Sequence, residues 1–158
     1  MPRGAEYRNL VALHSLSKSC GIAALRVGFA CGSPAIIERL KRVTGPYDIN
    51  QFGVVAANAV LDDWASMQGY AREVECAKAF VLQHLQARGV RHYSGGGNFL
   101  LVWPGEDVTA VEAALRERGI LVRSMHGKPM LSGCFRLSVG TLEQMKRFTQ
   151  EFDAVLGR

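Results

Sequence analysis

The residues best suited to chemistry lie together in Ser15-Leu16-Ser17-Lys18-Ser19-Cys20-Gly21-Ile22-Ala23-Ala24-Leu25-Arg26-Val27-Gly28. A lysine follows two serines, and an arginine stands eight residues beyond it. Apolar residues flank the stretch, Leu10-Val11-Ala12-Leu13 before it and Val27 to Ala30 at its end. This pattern puts the lysine on a tight connection between two strands, near hydroxyls and a guanidinium. A phosphate suits such a place, because hydroxyls and backbone N–H groups donate to it and arginine can bind two of its oxygens. An amine beside a second cation also serves as a nucleophile toward an aldehyde. The plain alternative is a surface lysine in a serine-rich loop. A second candidate is Arg136, within Phe135-Arg136-Leu137-Ser138-Val139-Gly140-Thr141. An unpaired charge among strand-forming apolar residues is expensive to bury, so an anionic ligand or a carboxylate partner is expected there. Arg123 follows a comparable apolar run, Ile120-Leu121-Val122. For Arg136 the alternative is an edge strand facing water, and for Arg123 a stray arginine of the kind that helices and strands often carry.

The elements that must position these groups can be read in chain order. A buried strand is expected over 9–14, and the next strand over 27–31. Ser33 with Pro34 opens a helix whose apolar face is Ile36, Ile37, Leu40 and Val43, since a proline at the first helical position sacrifices no hydrogen bond. Gly45-Pro46 ends it, and Asp48 is expected to cap the next helix, 49–63. That helix is apolar nearly all round (Phe52, Val55, Ala56, Ala59, Val60) and must be buried or lie in an interface. A long helix over 64–88 turns Tyr70, Val74, Ala77, Val81 and Leu85 to one side and stops at Gly89. Strands over 90–93 and 98–103 follow, joined by Gly95-Gly96-Gly97, which reads as a turn because no Gly-Lys-Ser/Thr accompanies it. Asp107 caps a helix ending at Gly119. The last strands are 120–125 and 134–139, and Thr141 with Gln144 forms a capping box for a closing helix. Helix, two strands, helix, two strands, helix describes an α+β layer, a small and largely antiparallel sheet covered by helices.

Composition narrows the class. With 158 residues, 48% hydrophobic and 21% charged, the chain is ordinary for a globular protein. The net charge of +5 comes from lysines and arginines scattered among acids, so nucleic-acid binding is not expected. No run is long and apolar enough for a membrane span, and residues 1–7 lack the apolar core of a signal peptide, so a cytoplasmic location is expected. Cys20, Cys31, Cys76 and Cys134 make no C-x-x-C pair and read as free, mostly buried thiols. His14, His84, His92 and His126 show no metal-ligand spacing, and no metal is expected.

Ser17-Lys18-x-x-Gly21-x-x-x-x-Arg26-x-Gly28 resembles the lysine motif of fold-type I, pyridoxal-phosphate-dependent aminotransferases, most closely those of the histidinol-phosphate type. Arg136-x-Ser138-x-Gly140-Thr141 is similar to a second motif of that family. Pro46-Tyr47-Asp48-Ile49-Asn50 looks like a third, with Asp48 where the family has asparagine. The resemblance implies an α/β fold: a remnant of the large cofactor-binding domain over 1–69 and a small α+β C-terminal domain over 70–158. It implies pyridoxal 5′-phosphate as cofactor, Lys18 as the Schiff-base lysine, and Ser15, Ser17 and Arg26 as phosphate ligands. It implies that Arg136 binds the substrate α-carboxylate and Arg123 a distal phosphate. Asn98 would shape a turn near the carboxylate site.

The implied partners are a small-molecule amino donor and a 2-oxo acid acceptor, within a homodimer. The resemblance spans nearly all of this chain but only about the C-terminal half of the family's length. The carboxylate that pairs with the pyridine nitrogen and the stacking aromatic have no counterpart among these residues. The chain is therefore expected to be an incomplete part of the enzyme and inactive alone. Two alternatives are a non-enzymatic oligomeric module and an enzyme resembling threonine-phosphate decarboxylase.

Overall fold

The computed structural model describes residues 7–45 and 47–157. Contacts divide the chain into two compact units, Met1–Tyr70 and Ala71–Arg158.

The first unit is built on a two-stranded antiparallel ribbon. Strand β1 (Val11–Ser15) pairs with β2 (Gly28–Gly32), from Val11 opposite Gly32 to Ser15 opposite Gly28. Between them lie a single helical turn, α1 (Leu16–Ser19), and a 3-10 turn, Ala23–Leu25. Helices α2 (Pro34–Lys41) and α3 (Gln51–Asp62) follow, and α4 (Trp64–Ala87) begins in this unit. Leu16, Val27 and Ala57 form a small core with Cys20, Ile22 and Leu25 against it.

Three expectations need correction in this unit. The strand expected to be buried over 9–14 begins later, and Leu13 is 79% exposed. A run of apolar residues is buried only when both faces of its strand are covered, and a two-stranded ribbon supplies no such cover. Ser33 starts α2 through its backbone carbonyl, which accepts from Ile36 and Ile37 N–H at 3.0 Å. Its hydroxyl does not cap the helix but donates to the Arg8 carbonyl at 3.1 Å. Asp48 is not the cap of α3 either: its carboxylate accepts from Gly45 N–H at 2.7 Å and closes the preceding turn. The cap is Asn50, whose Oδ1 accepts from Gly53 N–H at 2.7 Å. The Gly45-Pro46 stop is described only at Gly45, Pro46 lying outside the described residues.

The second unit is a four-stranded antiparallel sheet in the order β3-β4-β6-β5. Its strands are β3 (Arg91–Ser94), β4 (Phe99–Trp103), β5 (Arg123–Ser124) and β6 (Phe135–Ser138). Most of α4, α5 (Val108–Glu117) and α6 (Leu142–Val155) supply its helices. Strand alternation decides which side chains meet them. Leu100, Val102, Phe135 and Leu137 are buried with Ala77, Val81 and Leu85 of α4, Val111 and Leu115 of α5, and Phe148 and Phe152 of α6. Phe135 meets both α6 rings edge-on, at 6.5 and 6.0 Å between centroids. Truncating such a buried ring to alanine typically costs about 3–5 kcal/mol.

Helix ends are set as the glycines predict. Gly89 takes φ +64, its N–H reaches Gln86 O, and Val90 N–H reaches Leu85 O, so two orphan carbonyls are satisfied. The same pair of bonds closes α5 at Gly119 and Ile120. That use of Ile120 helps explain why the strand expected over 120–125 shrinks to Arg123–Ser124. Thr141 and Gln144 form the expected reciprocal capping box. The sequence predicts mostly buried thiols, but only Cys134 is buried; Cys20 is half-buried and Cys31 and Cys76 are exposed. Cys31 lies on the uncovered ribbon and Cys76 next to the buried Ala77 of α4, off the core-facing row.

Candidate active site

The ribbon register gathers the lysine motif. Ser15 and Gly28 are the last strand partners, and Leu16 N–H donates to Val27 O at 3.2 Å. Ser17 and Lys18 therefore leave the ribbon at the end where Arg26 returns to it. Ser15 Oγ accepts from Ser17 N–H at 3.2 Å and so caps α1, while Lys18 is exposed on its last turn. Leu16 and Val27 turn inward and anchor both ends of the connection.

Two backbone features hold the return. Arg26 adopts φ 58, uncommon for a residue with a side chain, and its guanidinium donates to Ala23 O at 3.0 Å. At Gly28 a Cβ would come within 2.7 Å of His14 O, so only glycine allows this approach of the strands. Helix α3 seats against the same loop: a Cβ on Gly53 would lie 2.7 Å from a Val27 methyl. Asn50 donates from Nδ2 to Leu25 O at 2.9 Å. From Tyr7 to Ile37 the chain carries no acidic residue, so the hydroxyls, amine and guanidinium of this connection form a donor set suited to an anion.

In the second unit Arg123 and Arg136 are direct partners across β5 and β6. Like charges directly opposite each other are destabilising. The guanidinium of Arg136 lies over the Phe99 ring, 5.5 Å from its centroid. Its Nε is buried without a hydrogen-bond partner, and among the described residues no carboxylate forms an ion pair with either arginine. The carboxylate partner that the sequence left open for Arg136 is thus not among the described side chains, and an anionic ligand would satisfy what remains. Asn98 is tied to the residue just beyond that strand, its carbonyl accepting from Val139 N–H at 2.8 Å.

The six sequence candidates therefore form two groups: Ser15, Ser17, Lys18 and Arg26 at one end of the ribbon, and Arg123 with Arg136 on the sheet of the other unit. Sequence reasoning missed Asn50 and Phe99. Asn50 was detectable, standing three residues before the glycine whose N–H it accepts. Phe99 was detectable from alternation, since Leu100 and Val102 take the core face and leave Phe99 on the face of Arg136. The histidines take local roles where the structure specifies them, as in His84 Nε2 at 3.0 Å from Asp153 and His92 Nδ1 at 2.8 Å from Val90 O. Among the described residues no cluster of three metal-ligating side chains occurs.

The first unit thus carries a lysine loop on a strand pair, and the second a helix-covered sheet with two facing arginines. The family model described as "Aminotransferase class I and II" matches residues 2–152, and the chain belongs to that family. Histidinol-phosphate aminotransferase 2 of Nitrosococcus oceani is 34% identical over 157 residues, covering 98% of this chain and 43% of that protein. The histidinol-phosphate aminotransferase structure from Clostridium acetobutylicum superposes with a TM-score of 0.82 at 18% identity, over 96% of this chain and 47% of that one. The Sinorhizobium meliloti enzyme of the same name, in complex with pyridoxal-5′-phosphate, gives 0.78 at 22% identity, over 97% and 42%. This chain therefore spans less than half the length of these relatives, and the fold it shares with them is mixed α/β over the part that it covers.

Proposed function

We propose that this chain supplies the lysine-bearing and arginine-bearing C-terminal portion of a pyridoxal-phosphate-dependent aminotransferase of the histidinol-phosphate type, serving histidine biosynthesis in the cytoplasm as a homodimer. The observation that carries this reading is the direct pairing of Arg123 with Arg136, two cations that no carboxylate ion-pairs with among the described residues. A substrate bearing both a carboxylate and a phosphate answers that arrangement, with Arg136 taking the carboxylate and Arg123 the phosphate. Bidentate guanidinium pairing would fix the orientation of such a substrate.

The donor set at the ribbon end fits pyridoxal 5′-phosphate. Ser15, Ser17 and Arg26 would hold the phosphate, and Lys18 offers the primary amine for the aldehyde carbon. When bound, this cofactor supplies the electron sink that lets an amino acid lose its α-proton. Lys18 Nζ, once exchanged for the substrate amine, would take that proton and return it. A small-molecule amino donor and then a 2-oxo acid acceptor would use the same arginines in turn. Groups that this reading requires around the cofactor ring would come from the remainder of the enzyme, so the 158-residue chain is expected to be inactive alone.

Reductive labelling tests the reading. After incubation with pyridoxal phosphate, borohydride reduction and digestion, mass spectrometry is expected to find the label concentrated on Lys18. Lys18→Ala should abolish that label. Arg26→Ala should weaken its acquisition roughly ten- to a hundredfold, the equivalent of a charge-assisted hydrogen bond of about 1.5–3 kcal/mol. Label spread evenly over Lys41, Lys78, Lys128 and Lys146 would reject Lys18 as the cofactor lysine of this chain.

A further inference from the structure

Arg136 has no carboxylate to hold it among the described residues, and what lies against its guanidinium is the Phe99 ring. Phe99 in turn depends on the residues before it. Its ring folds back over Gly97, where a Cβ would meet ring atoms at 2.8 and 3.0 Å. A side chain at 97 would therefore push the ring out of its place under Arg136. Gly97 belongs to Gly95-Gly96-Gly97, the loop between β3 and β4. Three successive glycines carry the largest backbone entropy a short loop can have, and ordering them needs a specific restraint. One restraint is the bond from Val139 N–H to Asn98 O at 2.8 Å. The other is Lys78, on α4. Its ammonium donates to Gly95 O at 2.5 Å and to Gly97 O at 2.8 Å, bridging both ends of the glycine run. A half-buried lysine spending two donors on loop carbonyls is unusual economy for a surface cation, and solubility does not explain it.

We propose that Lys78 is a positioning residue for Arg136, locking the glycine loop so that the Phe99 ring holds the guanidinium ready for an anion. This rests on the reading of Arg136 as a carboxylate anchor. All of these groups lie within the second unit. The chain of contact runs from Lys78 Nζ to the Gly97 carbonyl, from the Gly97 Cα to the Phe99 ring, and from that ring to Arg136.

The test uses the full chain with ¹⁵N-labelled arginine, following the Arg136 Nε–Hε signal, assigned through Arg136→Lys, while acetate is added at constant ionic strength. Hydrogen exchange of the amides from 95 to 99 is read in parallel. Lys78→Met keeps the apolar stem and removes the donors. It is expected to accelerate exchange in the loop and weaken the acetate response of Arg136 about five- to tenfold, in line with lost preorganisation. Lys78→Arg, which can still donate to both carbonyls, should restore both readouts. A wild-type signal that ignores acetate would remove the anchor reading and this proposal with it. A wild-type signal that responds, with Lys78→Met responding equally, would leave the anchor standing and overturn the role of Lys78. A loop whose exchange is unchanged by Lys78→Met would overturn it as well.

Discussion

Asn50 reaches from the start of α3 to the carbonyl of Leu25, 2.9 Å from its Nδ2, while its Oδ1 receives the N–H of Gly53 at 2.7 Å. One side chain thus begins a helix and holds the residue immediately before Arg26. The two bonds can be separated. Asn50→Asp keeps the acceptor that caps α3 and loses the donor to Leu25, whereas Asn50→Ala loses both. The alanine variant should lower stability by about 0.5–2 kcal/mol in urea unfolding, the range for a lost cap, and the aspartate variant by less. Both should lose selectivity of reductive labelling at Lys18. Undiminished selectivity in Asn50→Asp would show that the Leu25 bond does not hold the loop.

The facing arginines give a prediction for whichever assembled form is active. Arg136→Ala should reduce kcat/KM roughly ten- to a hundredfold for each charge-assisted bond removed, whatever the rest of the substrate. Arg123→Ala should penalise phosphate-bearing substrates and spare unphosphorylated ones. Without ligand, Arg123→Ala should leave stability unchanged or raise it by about 0.2–1 kcal/mol at low salt, because it removes a like charge directly across the strands. Equal catalytic losses on both substrate types would remove Arg123 from the phosphate role.

Burial pushes the Cys134 thiol above its ordinary range, opposed by the nearby Arg91 and reinforced by Glu112. A thiol whose folded-state value is raised binds its proton more tightly in the native state. Its contribution to stability is therefore intact below the unfolded thiol range and is lost as pH rises through the folded value. Urea midpoints measured from pH 7 to pH 10 should fall more steeply for the native chain than for Cys134→Ala. In the same pH range exposed Cys31 and Cys76 should alkylate while Cys134 stays protected. Parallel pH profiles for the two proteins would contradict this.

Helix α3 carries Phe52 at 81% exposure and Val55 at 68%. Apolar side chains so placed are expected to be covered by another protein surface. Sedimentation at micromolar concentration should show self-association of the chain, and Phe52→Ser with Val55→Ser should shift it toward monomer. A clean wild-type monomer that binds no apolar dye would count against the homodimer.

By itself the sequence determined which residue types stand together, where helices begin and end, and which strand faces are apolar. Lys18 with Arg26 and Gly28, the glycine stops at Gly89 and Gly119, and the Thr141–Gln144 box are local patterns that need only neighbouring residues to be read. Their physics lies in backbone dihedrals and short-range hydrogen bonds, so distance along the chain carries the information. Tertiary structure decided what depends on partners far apart in sequence. Apolar continuity suggested a buried strand at β1, yet burial requires a second layer, and Leu13 has none. Asp48 and Asn50 are both capable caps; which one serves depends on where α3 meets the loop at Leu25 and Val27. Pairing of Arg123 with Arg136 is a matter of register between β5 and β6, and the stacking of Phe99 on Arg136 depends on a glycine loop held by a lysine from α4. Register and long-range contact are set by the whole packed unit, because no local preference distinguishes the residue that will stand opposite from its neighbours two positions away.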